Sequence, residues 1–84
     1  MDELIRQMLV IEPTINIVLD SAPSVFIVPT ILTEDCTEYP ENVGKLEYQV
    51  SDGVAGVRSH SIDVYTWEEA KEVANQLESK HEPN

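Results

Sequence analysis

The residues of this chain that could do chemistry are two histidines, one cysteine, scattered serines and sixteen acidic side chains. The segment Ser59-His60-Ser61-Ile62-Asp63 holds the residue types of a nucleophile, a base and an orienting carboxylate. Such groups work only when they converge. On a strand, successive side chains point to opposite faces, so His60 stands away from Ser59, Ser61 and Asp63. A surface or edge histidine is the simpler reading, and no catalytic residue is assigned. Cys36 follows Glu34 and Asp35, whose charge is expected to raise a thiol pKa and leave the thiol inert.

Metal and cofactor chemistry find little support. His60 and His81 are far apart, and one cysteine cannot build a structural zinc site. No segment has the alternating oxygen ligands and central glycine of a calcium loop. Only three glycines are present, too few for a dinucleotide fingerprint, and Gly53 and Gly56 fall in a hairpin without a basic anchor. Neither a metal nor a cofactor is expected. Paired carboxylates suited to acid–base work are always available among sixteen, so they discriminate nothing. The chain reads as a binding protein and not as an enzyme.

The elements that must position these residues follow from length and pattern. The 84 residues suffice for one domain, 1–84, with a small core. Residues 2–10 have helical periodicity: Leu4, Met8 and Ile11 recur, with Ile5 and Leu9 beside them, and Pro13 ends the run. Residues 14–20 read as a strand, residues 20–24 as a turn, and residues 25–32 as a second strand. Residues 33–44 form a loop punctuated by Pro40 and Gly44. Leu46, Tyr48 and Val50 alternate with polar residues as a half-buried strand. A hairpin at 51–56 leads to a returning strand at 57–65, with a β-bulge expected near Ser59 to Ser61. Thr66 and Glu69 form a capping box, and Trp67, Ala70, Val73, Ala74 and Leu77 make one apolar stripe. The order αββββα predicts an α+β fold: a mostly antiparallel four-stranded sheet packed by the terminal helices.

Charge then narrows the partners. Sixteen acidic residues against five basic ones leave a net charge of −11. That field repels nucleic acid and anionic membranes and attracts a basic protein surface, or simply maintains solubility. No apolar run is long enough to cross a membrane, and the N-terminus lacks the basic region of a signal peptide. A lone cysteine in so small a chain favours the reducing cytoplasm.

Two segments are candidates for function. The first holds Glu34, Asp35, Glu38, Glu41, Glu47 and Asp52 against Lys45 alone. Carboxylates two apart on a strand lie about 6.6 Å apart. Those four apart on a helix, such as Glu68 and Glu72, lie about 6 Å apart. Both intervals are near the phosphate spacing of a nucleic-acid strand. An acidic surface of this kind can mimic nucleic-acid charge toward a basic protein. The second is the strand 25–32, apolar on both faces, with Phe26, Ile27, Val28 and Ile31 as the partner or homodimer contacts. Pro29 argues that this is an edge strand open to pairing with another chain.

In size and acidity the chain resembles the compact inhibitor proteins that phages encode against host nucleases, repair enzymes or immune systems. The resemblance implies an inhibitor acting by protein–protein contact, and no motif carries over individual residues. The alternative is a structural or accessory subunit, dimeric through residues 25–32.

Overall fold

In the computed structural model, residues 1–52 and 61–81 are described. They form α1 (Asp2–Ile11), β1 (Ile17–Leu19), β2 (Ala22–Ile31), β3 (Leu46–Ser51), β4 (Ser61–Val64) and α2 (Trp67–His81), with one 3-10 turn at Pro40–Asn42. The four strands lie in chain order in one antiparallel sheet. This is the αββββα arrangement expected from the pattern. The hairpin at 51–56 lies mostly outside the described residues, and so does most of the bulge expected near Ser59.

Period two sorts the strands. Leu46, Tyr48 and Val50 of β3 are buried, while Gln49 is exposed. Register sets Tyr48 against Pro29 and Val64, and Val50 against Ile27 and Ile62. These residues face the helices. Ile5 and Leu9 of α1 join Trp67, Ala70, Ala74 and Leu77 of α2 in one cluster with Val25, Ile27, Tyr48 and Val50. Each large side chain fully removed from water contributes roughly 1.5–3 kcal/mol. Both helices thus cover the same face, and among the described residues no element packs on the other face of the sheet.

Three features of the first strands depart from expectation. β1 is shorter than 14–20, and β2 begins at Ala22, so the turn shrinks to Asp20 and Ser21. Between the pairs Ile17–Ile27 and Leu19–Ala22, Val18 opposes residues 23–26. This bulge shifts the phase of β2, so that Ala22 and then Val25 both reach the core. The Ser24 N–H, within the bulge, donates to Glu78 Oε1 of α2 at 2.6 Å.

Pro29 does not mark an edge strand, because β2 lies between β1 and β3. The Leu32 N–H donates to the Lys45 carbonyl at 2.9 Å. By alternation, even-numbered residues of β2 point their N–H groups at β3 and odd-numbered ones at the β1 side. Pro29 therefore lacks a donor only on the β1 side. Continuing the Ile17–Ile27 register places Ile15 opposite Pro29, before β1 begins. No ladder bond is lost, and the missing donor helps explain why β1 starts no earlier than Ile17.

The helices are set by their ends. Glu12 has extended backbone (φ −129°, ψ 97°) ahead of Pro13 and closes α1. At α2 the Thr66 hydroxyl accepts from the Glu69 N–H at 3.2 Å and donates to Glu69 Oε1 at 3.0 Å. The side-chain half of the expected capping box is therefore a hydroxyl–carboxylate bond. The Trp67 N–H, one of the orphan donors of the first turn, donates to Asp2 Oδ1 at 3.0 Å. The Tyr48 hydroxyl donates to the same oxygen at 2.5 Å. One carboxylate at the start of α1 thus ties together α1, β3 and α2. Burial pushes the Tyr48 phenol pKa well above its ordinary value, and the hydrogen bond and charge of Asp2 push it further.

The expected stripe of α2 is buried as read, with Val73 at its margin. That of α1 is not. Only Ile5 and Leu9 reach the core, and Leu4, Met8 and Ile11 remain exposed.

Candidate functional site

The loop between β2 and β3 is held at both ends. Leu32 pairs with Lys45 as above, and the Gly44 N–H donates to the Leu32 carbonyl at 2.8 Å. Gly44 has φ +89°, a left-handed conformation that side chains disfavour. Its carbonyl accepts from Arg6 Nη1 at 3.0 Å, which anchors the loop to α1. Inside the loop, the Cys36 N–H donates to the Thr33 carbonyl at 3.0 Å, and the 3-10 turn supplies Asn42 N–H to Tyr39 carbonyl and Val43 N–H to Pro40 carbonyl bonds. The loop is therefore a built surface with its own hydrogen bonds.

Glu34, Asp35, Glu38 and Glu41 are all exposed on it. Among the described residues, none of the four forms an ion pair. Glu34 and Glu38 line one shallow recess with Thr37, Pro40 and Val43. Tyr39 and Val43 are exposed beside them. Carboxylates at the rim of small apolar contacts are suited to the stem and charge of a lysine or arginine.

The rest of the acidic set is divided by strand parity. Glu47 is half-buried on the open face of β3. Its pKa is raised, first by desolvation and then by the Asp63 carboxylate, while a hydrogen bond with Tyr65 works the other way. Asp52 is only 4% exposed, so it does not belong to an acidic surface. It takes the next even-numbered position after Leu46, Tyr48 and Val50 and is buried as they are. That parity was legible after Leu46, Tyr48 and Val50, and it is the signal that separates Asp52 from the loop.

Cys36 also departs from expectation. Its pKa is lowered, chiefly because the Thr33 hydroxyl donates to its sulfur at 3.3 Å, with the Thr33 backbone adding to this. The charges of Asp35 and Glu47 oppose the shift but are weaker. A direct hydrogen bond outweighs exposed carboxylates that water screens.

The second candidate set is split between two faces. Ile27 is fully buried under the helices and Ile31 packs partly against the core, so neither is a free contact. Phe26 is exposed and Val28 half-buried on the open face, where they border a shallow groove with Asn16, Gln49, Ser51 and Ser61. Gln49 Nε2 donates to Ser61 Oγ at 3.1 Å across that groove. β2 is an interior strand and offers no continuous edge for pairing.

Ser59 and His60 lie outside the described residues. Among the described residues, no three His, Cys, Asp or Glu side chains are grouped to hold a metal, and no helix is long and apolar enough to cross a membrane. Comparison with protein-family models, curated proteins and solved structures finds no match.

Proposed function

We propose that this protein is a small, non-enzymatic acidic binding module that engages a basic surface of a partner protein through the loop 33–45. The observation that carries the reading is the recess where Glu34 and Glu38 meet Pro40 and Val43, with Tyr39 exposed beside it. An aromatic and apolar centre with a charged rim is the anatomy of a protein contact. Carboxylates left without ion pairs are free to meet lysine and arginine. In its sharpest form the loop occupies the nucleic-acid-binding groove of its partner and inhibits it, as an inhibitor of the phage type would. The reducing cytoplasm is the compartment that suits an exposed free Cys36.

The test is binding to a panel of purified basic nucleic-acid-binding proteins at low and high salt. Charge reversal at Glu34, Glu38 and Glu41 should weaken the bound member by about tenfold or more, mainly through the association rate. Added salt should do the same. Binding indifferent to both overturns the reading. The rival, a homodimer through β2, keeps only Phe26 and Val28 as free contacts. A dimer in sedimentation that Phe26→Lys dissociates would favour that rival.

A further inference from the structure

Helix α1 is apolar over a wider arc than the domain covers. At about 100° per residue, Ile11, Leu4 and Met8 occupy consecutive positions around the helix, with Met1 at its N-cap in line with them, adjoining the buried pair Ile5 and Leu9. Leu4 is 51% exposed, Met8 40%, Met1 59% and Ile11 86%. Positions 1, 4, 8 and 11 have the 3–4–3 spacing that sets one helix against another. The seam ends in a shallow recess lined by Met8, Ile11, Thr14 and Ile15, with Glu12 as its one charged wall. On the other side the polar Gln7 flanks Ile11 and Leu4, with Glu3 beyond it, both exposed to solvent.

We propose that this seam docks a single amphipathic helix of a partner protein, with lysine or arginine along the borders of its apolar stripe. Charge complementarity selects that occupant. Glu12 is the charged group beside the seam's apolar residues, and the whole chain carries −11. A lysine or arginine seated in the recess lays its methylene stem on Met8, Ile11 and Ile15 and brings its charge to Glu12. A second copy of this chain would instead set −11 against −11. The seam is also small, about 15 Å long and about 10 Å wide. Even tripled to allow for side-chain relief, that area falls short of the about 800 Å² per side that a stable pair of folded proteins buries. A helix face three turns long is suited to one helix laid along it. The inference shares with the proposed function only the basic character of the partner, because the seam and the loop are separate surfaces.

The experiment uses the full chain and two synthetic helical peptides with the same leucine stripe, one bordered by lysine and arginine and one by glutamate. Fluorescence anisotropy gives affinity and amide shift mapping gives location. The basic peptide should bind at least tenfold tighter than the acidic one and perturb residues 1–15. Met8→Ser with Ile11→Ser should weaken it about tenfold, and Glu12→Gln should narrow the preference for the basic peptide. Exposed positions keep these variants folded, which an unchanged circular dichroism spectrum verifies. Glu34→Lys with Glu38→Lys should leave the peptide affinity within about twofold. If those loop changes abolish peptide binding and the α1 changes do not, the seam is overturned and the loop reading stands. Equal affinity for both peptides, perturbations away from α1, or a dimer dissociated by Met8→Ser would each overturn it as well.

Discussion

Replacing Asp2 by alanine removes an acceptor shared by two donors from distant parts of the chain, the Trp67 N–H and the Tyr48 hydroxyl. Loss of a capping acceptor costs about 0.5–2 kcal/mol. Leaving a buried hydroxyl without its partner costs about 1–3 kcal/mol. Asp2→Ala should therefore lose about 2–4 kcal/mol, a large share of the roughly 4–13 kcal/mol expected for a domain of this length. Tyr48→Phe removes the donor and leaves the cap, so it should lose about 1 kcal/mol. In the Tyr48→Phe background no phenol is orphaned, and Asp2→Ala should cost only the cap. Urea unfolding followed by circular dichroism measures all four proteins, with the slope of each transition held to the wild-type value. The double variant should be more stable than additivity predicts by about 1–2 kcal/mol. Strict additivity, or a loss under about 0.5 kcal/mol for Asp2→Ala, refutes the reasoning.

Three further outcomes follow from the geometry. The Tyr48 phenol titrates above its ordinary value in the folded chain, while in the unfolded chain it ionises near pH 10, at about the free tyrosine value. Stability from this group is thus complete below that pH and falls as pH rises beyond it; Tyr48→Phe should flatten the alkaline decline in Tm. Glu47 has a raised pKa, so the folded state holds its proton more tightly than the unfolded state, and its ionisation lowers stability as pH rises. Glu47→Gln should match or exceed wild-type Tm at pH 7, with the gain shrinking in acid; a clear loss at pH 7 would show that the Tyr65 hydrogen bond outweighs burial and Asp63. Gly44→Ala meets open space but retains φ +89°, so it should cost about 1–2 kcal/mol in thermal unfolding, and Gly44→Asn should cost less because asparagine tolerates that conformation.

Much of this molecule was legible in the residues alone. The alternation of Leu46, Tyr48 and Val50, the stripe from Trp67 to Leu77 and the Thr66 cap each depend on neighbours a few positions away. They hold wherever the segment docks. The exposure of Glu34, Asp35, Glu38 and Glu41 was equally readable, since a polar loop with Pro40 and Gly44 has no apolar face to bury. Strand parity also carried the fate of Asp52, although the run of acidic residues around it masked that signal.

Tertiary structure decided what local pattern leaves open. Residues 25–32 offer two apolar faces and α1 an apolar arc wider than one contact, and periodicity cannot rank them. Both helices settled on one side of the sheet, burying Ile27 and leaving Phe26 exposed, and α1 turned Ile5 and Leu9 inward and Leu4, Met8 and Ile11 outward. Pro29 could sit in an interior strand because β1 stops short of it. Asp2 gained its partners 46 and 65 positions away. Local chemistry specifies which elements form and which side of each can be buried. Only the docking of distant segments, competing for one small core, determines which of those sides water loses and which it keeps.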